Sequence, residues 1–381
     1  MIKLYNTSVK LKIVRDISIC CFTNDAVNTT YMWWIGGLLN SWLALVTMKL
    51  ALLFIVVYFF HCKGAVVTKN EEQLVINNRP IIGVLSQEQS YHLQEKYSED
   101  NYTSYIAASY VKAIESAGGR VVPILIGKNR GYYRELMSKI NGVLFPGGAT
   151  YFNQSNGYAD AGQHIYEIAQ EFNDADDYFP IFGTCLGFEL LIILASGRGE
   201  KENRITCNST LSRSLNFIDD LRDTKMYKNT PQDIVNLLAT KDITVNYHQY
   251  CIVDANLHAY DLNKNWLVTS YSNDNNGLKF IATIENKRYP FYGVQFHPEK
   301  VSFEWKESKN YPHSSEAVRA NRHFMDFFLN ECRKSSHAFK SVDEERDHLI
   351  YNYEPFFTGK VGSQYEQCYF FEPRHRQHLT V

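Results

Sequence analysis

A single cysteine lies between two glycines in the sequence Gly-Thr-Cys-Leu-Gly, at residues 183–187. An apolar run typical of a buried strand precedes it, and a helical pattern follows from about Phe188. In a nucleophile elbow the reactive side chain lies on a tight strand-to-helix turn, and small residues two positions away let strand and helix pass closely. The partial positive charge at the helix N-terminus favours the reactive thiolate. Cys185 is therefore predicted to be a catalytic nucleophile, with a buried structural cysteine as the alternative.

A histidine that could act as the base follows in the sequence Gln-Phe-His-Pro-Glu, at residues 295–299. A predicted strand over residues 291–296 ends at His297, and the carboxylate of Glu299 comes two residues later. Such a carboxylate can hold the imidazole in one tautomer and stabilise the imidazolium that forms when the thiol proton is taken up. A lone histidine is more often structural, but two motifs in this chain order predict a Cys-His-Glu site.

Together the two motifs resemble the class I glutamine amidotransferase superfamily and, within it, the γ-glutamyl hydrolase family. The resemblance extends over about residues 77–371 and is also carried by residues 79–85, 104–112, 142–148, 349–351 and 367–369. It implies a flavodoxin-like fold and hydrolysis of the γ-glutamyl bonds of a small-molecule substrate, pteroylpoly-γ-glutamate, through a thioester acyl-enzyme. It implies neither a cofactor nor a metal, and it leaves open a homodimer.

An acyl transfer also needs hydrogen-bond donors for the oxyanion. In an elbow the backbone N–H of the residue after the nucleophile, here Leu186, is one donor. Gly147 and Gly148 follow an apolar strand, and the resemblance places their loop in the same role; a plain turn is the alternative. The resemblance also implies that His248 is an auxiliary active-site histidine. Its spacing from Cys251 does not predict a metal site, because two ligands are too few.

The elements that position these residues follow a strand and helix alternation. Short apolar runs predict buried parallel strands at residues 81–85, 121–126, 143–145 and 179–182, and apolar residues at helical spacing predict helices at residues 104–117, 161–172 and 316–328. This alternation predicts an α/β fold, a doubly wound, mostly parallel sheet with helices on both faces. Ligand sites in such folds lie at the carboxyl ends of the strands.

Composition limits the classes of function. The chain has 381 residues, of which 45% are hydrophobic, enough for one large α/β domain, predicted at residues 66–381 with a C-terminal extension from about Ser335. The formal net charge is −2 and no cluster of Lys and Arg occurs, so the sequence does not predict nucleic-acid binding.

The N-terminal region suggests export. Met48-Lys49, the apolar run at residues 50–60 and the small residues that follow it predict a signal peptide at residues 48–65. The run is short for a membrane span, which favours a signal peptide. No membrane association is expected once cleavage has removed it. Because residues 33–46 lengthen the apolar zone, an uncleaved signal anchor is the alternative. Residues 1–47 are an unassigned extension without a counterpart in the resemblance, and a start at Met48 would leave them untranslated.

Sequons and cysteines fit a secreted or lysosomal protein. Candidate glycosylation sites occur at Asn101, Asn153 and Asn208. Three of the eight cysteines lie in the N-terminal region, and Cys185 must remain a thiol. Four cysteines remain for disulfide bonds: Cys207, Cys251, Cys332 and Cys368. Four cysteines can be connected in three different ways.

Two other functions share these features. A glutaminase subunit that supplies ammonia to a synthetase would use the same triad, but the export signal and the lack of an acceptor domain disfavour it. A non-enzymatic secreted binding protein could keep the fold. It is disfavoured because Cys185, His297 and Glu299 are all present.

Overall fold

The computed structural model describes residues 76–97 and 101–372. The predicted signal peptide at residues 48–65, the extension at residues 1–47 and the cysteines Cys20, Cys21 and Cys62 lie outside the described residues. Within the described ranges, every helix is too short or too polar to span a membrane.

Fifteen strands are defined in the described part of the chain: β1 Ile81–Leu85, β2 Gln87–Glu88, β3 Ser104–Ala107, β4 Arg120–Ile124, β5 Gly142–Phe145, β6 Ile181–Thr184, β7 Ile205–Ser209, β8 Ser212–Arg213, β9 Asn216–Phe217, β10 Thr244–Val245, β11 His248–Cys251, β12 Trp266–Asn273, β13 Lys279–Asn286, β14 Phe291–Val294 and β15 Cys368–Phe371. The α-helices there are α1 Tyr91–Lys96, α2 Ala108–Ser116, α3 Arg130–Met137, α4 Tyr158–Asp174, α5 Leu186–Ser196, α6 Glu200–Asn203, α7 Gln232–Thr240, α8 Asp254–Ala259, α9 Lys300–Phe303, α10 Ser315–Cys332 and α11 Val342–His348. Short 3-10 turns occupy Leu221–Asp223, Leu262–Lys264, Glu307–Lys309, Ile350–Asn352 and Thr358–Val361.

The central sheet has eight strands in the order β4-β1-β5-β6-β14-β13-β12-β9. The first five are parallel, and numbering them along the chain gives the order 2-1-3-4-5 of flavodoxin-like sheets. Strands β13, β12 and β9 extend the sheet in antiparallel fashion. The predicted fold class is therefore confirmed.

Two apolar layers pack on the two faces of this sheet. Alternate side chains of β1 enter different layers: Ile82 and Val84 join the layer that contains residues of α2 and α10, whereas Ile81 and Leu85 join the one formed with α3, α4 and α5. This is the pattern of a strand that is covered on both sides. The predicted helices at residues 161–172 and 316–328 are the central parts of α4 and α10.

The prediction of one helix over residues 104–117 was wrong for its first turn. Residues Ser104–Ala107 form strand β3, and the helix begins only at Ala108. β3 pairs with β2 and, in antiparallel fashion, with β15. The partner β15 lies more than 250 residues away in sequence, so the local pattern of apolar residues could not reveal the strand.

The predicted C-terminal extension is folded against the domain. The side-chain amide of Asn141 donates hydrogen bonds to the backbone carbonyls of Ser335 (3.2 Å) and His337 (2.8 Å), close to the point where the extension begins. Further along, the hydroxyl of Tyr365 lies 3.4 Å from the carbonyl oxygen of Gly147. The extension therefore reaches the loop after β5.

Candidate active site

Three neighbouring strands bring the predicted site residues to one edge of the sheet. Cys185 follows β6 directly, Gly147 and Gly148 lie just after β5, and His297 follows β14. Because these strands are parallel and adjacent, their carboxyl ends meet at the same edge. The backbone N–H of Cys185 donates to the carbonyl of Val294 (2.7 Å) and so ties the cysteine to the strand that leads to His297.

The turn at Cys185 has the backbone expected of a nucleophile elbow. Cys185 has φ +50° and ψ −108°, a conformation that costs a non-glycine residue of the order of 1–3 kcal/mol. A Cβ on Gly183 would lie 2.6 Å from the carbonyl oxygen of Gly187, and one on Gly187 would lie 2.0 Å from that of Phe145. Both contacts are too short for any side chain. The two glycines are therefore required for strand and helix to approach each other.

The cysteine and the histidine converge on Gly147. A Cβ built on this glycine would lie 2.7 Å from Cε1 of His297 and 3.0 Å from Cβ of Cys185. Both side chains are buried, each with only 4% of its surface exposed. The thiol and the imidazole therefore lie against the same backbone segment, largely shielded from water.

Glu299 holds the imidazole of His297. Its Oε1 lies 2.8 Å from Nδ1 of His297, and the carboxylate is buried. A carboxylate partner assigns the ring proton to Nδ1 and leaves Nε2 with a free lone pair. Burial alone would raise the pKa of Glu299, but the contact with His297 and the nearby ammonium of Lys300 lower it, so the acid is ionised.

Burial keeps the resting thiol and imidazole neutral. It raises the pKa of the Cys185 thiol well above its usual value, and the carboxylates of Glu189 and Glu299 act in the same direction. The backbone amide of Leu186 opposes this shift, as the helix N-terminus was expected to do, but burial outweighs it. Burial likewise lowers the pKa of His297 despite the carboxylate of Glu299. The thiolate must therefore form as the sulfur attacks.

The candidate oxyanion donors differ in availability. The N–H of Gly147 donates to the hydroxyl of Tyr110 (2.8 Å) and is already used. The N–H of Gly148 donates to no protein acceptor in the part of the chain that the structure describes. The amide of Leu186 faces the sulfur of Cys185. Gly148 and Leu186 are thus better placed than Gly147 to bind an oxyanion.

Tyr110 is a site residue that sequence reasoning missed. Its hydroxyl accepts the N–H of Gly147, lies 3.3 Å from Nδ1 of His297 and is hydrogen-bonded to Glu299. The side chain is fully buried, which raises its pKa well above the usual value and keeps the phenol protonated. In the sequence Tyr110 is one of the apolar residues whose helical spacing predicts a helix within residues 104–117. Nothing in that pattern shows that its hydroxyl reaches His297.

We expect Tyr110→Phe to lower kcat about tenfold with little change in KM. One hydrogen bond of about 1.4 kcal/mol, which positions both the loop and the imidazole, would be lost. Steady-state kinetics measure the effect. Tyr133→Phe is the matched control, because it removes another buried hydroxyl, bonded to the carbonyl of Leu125 and remote from His297. Equal losses in both variants would show that Tyr110 acts only through stability.

A second buried carboxylate lies in the first turn of the elbow helix. Glu189 accepts hydrogen bonds from the side-chain amide of Gln295 (3.0 Å) and from Arg204 (2.5 Å). Burial raises the pKa of Glu189, whereas Arg204 and Gln295 act to lower it. The carboxylate therefore links helix α5 to the segment that carries His297. Gln295 lies inside the histidine motif and Glu189 follows the cysteine motif by two residues, but their spacing gave no sign of this contact.

His248 contacts a disulfide rather than Cys185 or His297. Its Nδ1 lies 3.5 Å from Sγ of both Cys207 and Cys251, which are bonded to each other. No hydrogen bond joins His248 to Cys185 or His297 among the described residues. Burial lowers the pKa of His248, and a positive charge on His297 would lower it further. Of the four cysteines predicted to be available for disulfides, Cys332 and Cys368 remain free and buried, as does Cys185.

The three candidate glycosylation sites are on the surface. The side chains of Asn101, Asn153 and Asn208 are all exposed. A glycan needs such exposure, so the fold is compatible with modification at each of them.

Comparisons with known proteins show the family to which this chain is similar. A model of the peptidase C26 family matches residues 80–299. The chain is 38% identical over 296 residues to the human protein named gamma-glutamyl hydrolase. The aligned region covers 77% of this chain and 90% of the human protein. The mouse protein of the same name is 40% identical over 298 residues, which are 78% of this chain and 90% of the mouse protein. The bovine protein of the same name is 40% identical over 296 residues, which are 77% of this chain and 90% of the bovine protein.

Proposed function

This chain belongs to the peptidase C26 family and is a γ-glutamyl hydrolase, and we propose that it shortens folylpoly-γ-glutamates through a thioester on Cys185. One observation carries the mechanism. Cys185 and His297 converge on Gly147, with Glu299 bonded to the far nitrogen of the imidazole. This arrangement can deliver a thiolate to a carbonyl carbon although both Cys185 and His297 are neutral in the resting site.

The first step is proton transfer coupled to attack. Nε2 of His297 takes the thiol proton while the sulfur of Cys185 forms a bond to the γ-carbonyl carbon, and the π electrons of the carbonyl move onto its oxygen. The imidazolium that results is stabilised by the carboxylate of Glu299, 2.8 Å from Nδ1. Glu299 keeps its own negative charge throughout.

The developing oxyanion is bound by backbone amides. The N–H of Leu186 lies at the start of helix α5, directly after Cys185, and that of Gly148 lies in the loop after β5. Donors fixed in a buried site stabilise such a charge more strongly than water does, because they need no reorganisation. The tyrosine Tyr110 holds Gly147 and thereby orients the next peptide in the same loop.

The intermediate then collapses. The carbon–nitrogen bond breaks, and the proton held on Nε2 of His297 passes to the leaving amine, which is the next γ-linked glutamate. A water molecule, deprotonated by the same nitrogen, attacks the thioester and releases the shortened acid and the free thiol of Cys185.

Incubation of the purified protein with a pteroylpoly-γ-glutamate, followed by mass analysis, tests this proposal. We expect products that are shorter by γ-linked glutamates. The matched α-linked polyglutamate should remain intact. Ammonia release from glutamine without shortening of the tail would support the glutaminase alternative instead, and an unchanged γ-linked substrate would contradict the proposed substrate.

We also propose that the protein is exported, with the hydrolase domain beginning near Ala65. The apolar run at residues 50–60 and the exposed side chains of Asn101, Asn153 and Asn208 support this proposal. A mature N-terminus near Ala65 or Val66 is expected on N-terminal sequencing of secreted or lysosomal protein. Recovery only as a membrane-bound chain that retains residues 50–60 would contradict cleavage. Glycans alone do not distinguish a signal peptide from a signal anchor.

A further inference from the structure

A cluster of metal-ligating side chains lies outside the catalytic pair. Sγ of Cys207, Sγ of Cys251 and a ring nitrogen of His248 all lie within 4.8 Å of one another, and the three residues are buried. In the oxidised protein the two sulfurs are bonded to each other. A disulfide has no charge to offer a metal ion, so the cluster can act as a ligand set only when this bond is reduced.

The two ring nitrogens of His248, beside the disulfide, cannot both form a hydrogen bond with the groups that face them. Nδ1 lies 2.9 Å from the carbonyl of Tyr250, and Nε2 lies 3.1 Å from Oδ1 of Asn246. The amide group of Asn246 donates to the carbonyl of Thr244, which fixes Oδ1 towards the ring. Both ring nitrogens therefore face acceptors, yet a neutral imidazole has a single N–H. The ring nitrogen of His248 that carries no proton therefore receives no hydrogen bond on its lone pair.

Placing the proton on Nε2 leaves Nδ1 free to bind a metal. Nε2–H then donates to Asn246, the kind of contact that orients a metal-ligating histidine. Nδ1 already lies 3.5 Å from each sulfur. A tetrahedral Zn²⁺ with bonds of about 2.3 Å to sulfur and about 2.0 Å to nitrogen separates these atoms by about 3.5 Å. The two sulfurs must move apart, and the carbonyl of Tyr250, 2.9 Å from Nδ1, must turn away to admit the metal.

The surrounding strands keep the ligands together without the covalent bond. Cys207 is on β7 and the other two ligands are on β11, and these strands pair in antiparallel fashion. The pairs His248 with Ser209 and Cys251 with Ile205 hold the ends of the ribbon on either side of Cys207. The Cα atoms of the two cysteines are 5.8 Å apart. Opening the sulfurs thus requires side-chain rotation more than strand separation.

We propose that reduction of the Cys207–Cys251 disulfide creates a binding site for Zn²⁺ formed by Cys207, Cys251 and His248. A phosphine supplies two electrons and takes up the oxygen of a water molecule as it becomes the phosphine oxide, and the two protons of that water complete the thiols. A dithiol instead supplies both the electrons and the protons and closes to its own disulfide. Zn²⁺ then displaces both thiol protons, takes the lone pair of Nδ1 as its third ligand and binds water in the fourth position.

Metal titration of the full chain with Cys185→Ala tests this proposal, because that substitution prevents the nucleophile from binding metal. After reduction with a phosphine and removal of the reductant without air, about one equivalent of Zn²⁺ should bind. Co²⁺ should give a sulfur-to-cobalt charge-transfer band. The oxidised protein should show neither. Equal uptake by the oxidised and reduced forms would overturn the proposal.

Substitutions identify the ligands. Adding Cys207→Ser should abolish the cobalt band, and adding His248→Ala should weaken Zn²⁺ binding by more than about tenfold. Adding Cys332→Ser is the matched control, because this free, buried cysteine lies outside the cluster. If Cys207→Ser does not fold, alkylation of the reduced protein before titration tests the same point without a mutation. Undiminished metal binding after alkylation, or in Cys207→Ser, would assign the metal to another site.

Discussion

Cys185→Ala is expected to abolish hydrolysis of the γ-linked substrate while leaving substrate binding largely intact. The substitution removes the sulfur that forms the acyl-enzyme and adds no bulk to a site where Gly147 and His297 already pack closely. Cys185→Ser should also be nearly inactive. A hydroxyl is harder to ionise than a thiol, and the same burial that raises the pKa of Cys185 would disfavour the alkoxide even more.

Product analysis measures turnover, and calorimetry with the intact substrate measures binding. Cys368→Ser is the matched control, since this cysteine is also free and buried and its sulfur lies 3.4 Å from the hydroxyl of Thr358, away from the catalytic pair. It should retain most of the wild-type activity. A correctly folded Cys185→Ala protein that kept more than a small fraction of wild-type turnover would show that another group is the nucleophile.

Residues held by short sequence motifs could be placed from the sequence. The glycines on both sides of Cys185 specify a turn that only a small residue allows, and contacts of 2.6 Å and 2.0 Å at Gly183 and Gly187 give the physical reason. Glu299 follows His297 by two residues, so their contact is set by the local turn. The buried strands of the parallel sheet were also recognisable, because each is apolar on both faces.

Contacts between distant segments could not be found in this way. Tyr110 meets His297 only because the fold brings helix α2 close to the loop after β5 and to the turn after β14, and its hydroxyl has no counterpart in a hydrophobic pattern. Strand β3 exists because β15 pairs with it from the far end of the chain. The environment of His248 likewise depends on the disulfide between Cys207 and Cys251. The sequence left open which of the four cysteines pair.

The charge state of the site depends on burial in a way that local motifs do not show. The sequence placed Cys185 at a helix N-terminus and so suggested a thiolate. In the fold the sulfur is buried, and burial together with the carboxylates of Glu189 and Glu299 raises its pKa more than the amide of Leu186 lowers it. A neutral pair makes the base essential, because attack and proton transfer must then occur together.

His297→Ala should lower kcat by at least about 10⁴-fold, whereas Glu299→Ala should cost about 10²-fold. Without His297 no group can take the thiol proton. Without Glu299 the ring keeps Nε2 as a base, and the hydroxyl of Tyr110, 3.3 Å from Nδ1, still helps to orient it. Glu331→Gln is the control for loss of a buried carboxylate, since Glu331 bonds to Tyr292 away from the site.

The pH dependence separates an orienting role for Glu299 from a purely structural one. Burial lowers the pKa of His297, and the carboxylate of Glu299 raises it again. Removing the carboxylate should therefore lower this pKa further. Because His297 must be neutral to accept the thiol proton, the acid limb of kcat/KM should move to lower pH in Glu299→Ala and stay in place in Glu331→Gln. A limb that does not move, or equal losses of kcat in His297→Ala and Glu299→Ala, would mean that Glu299 takes a direct part in the reaction or acts only through the fold.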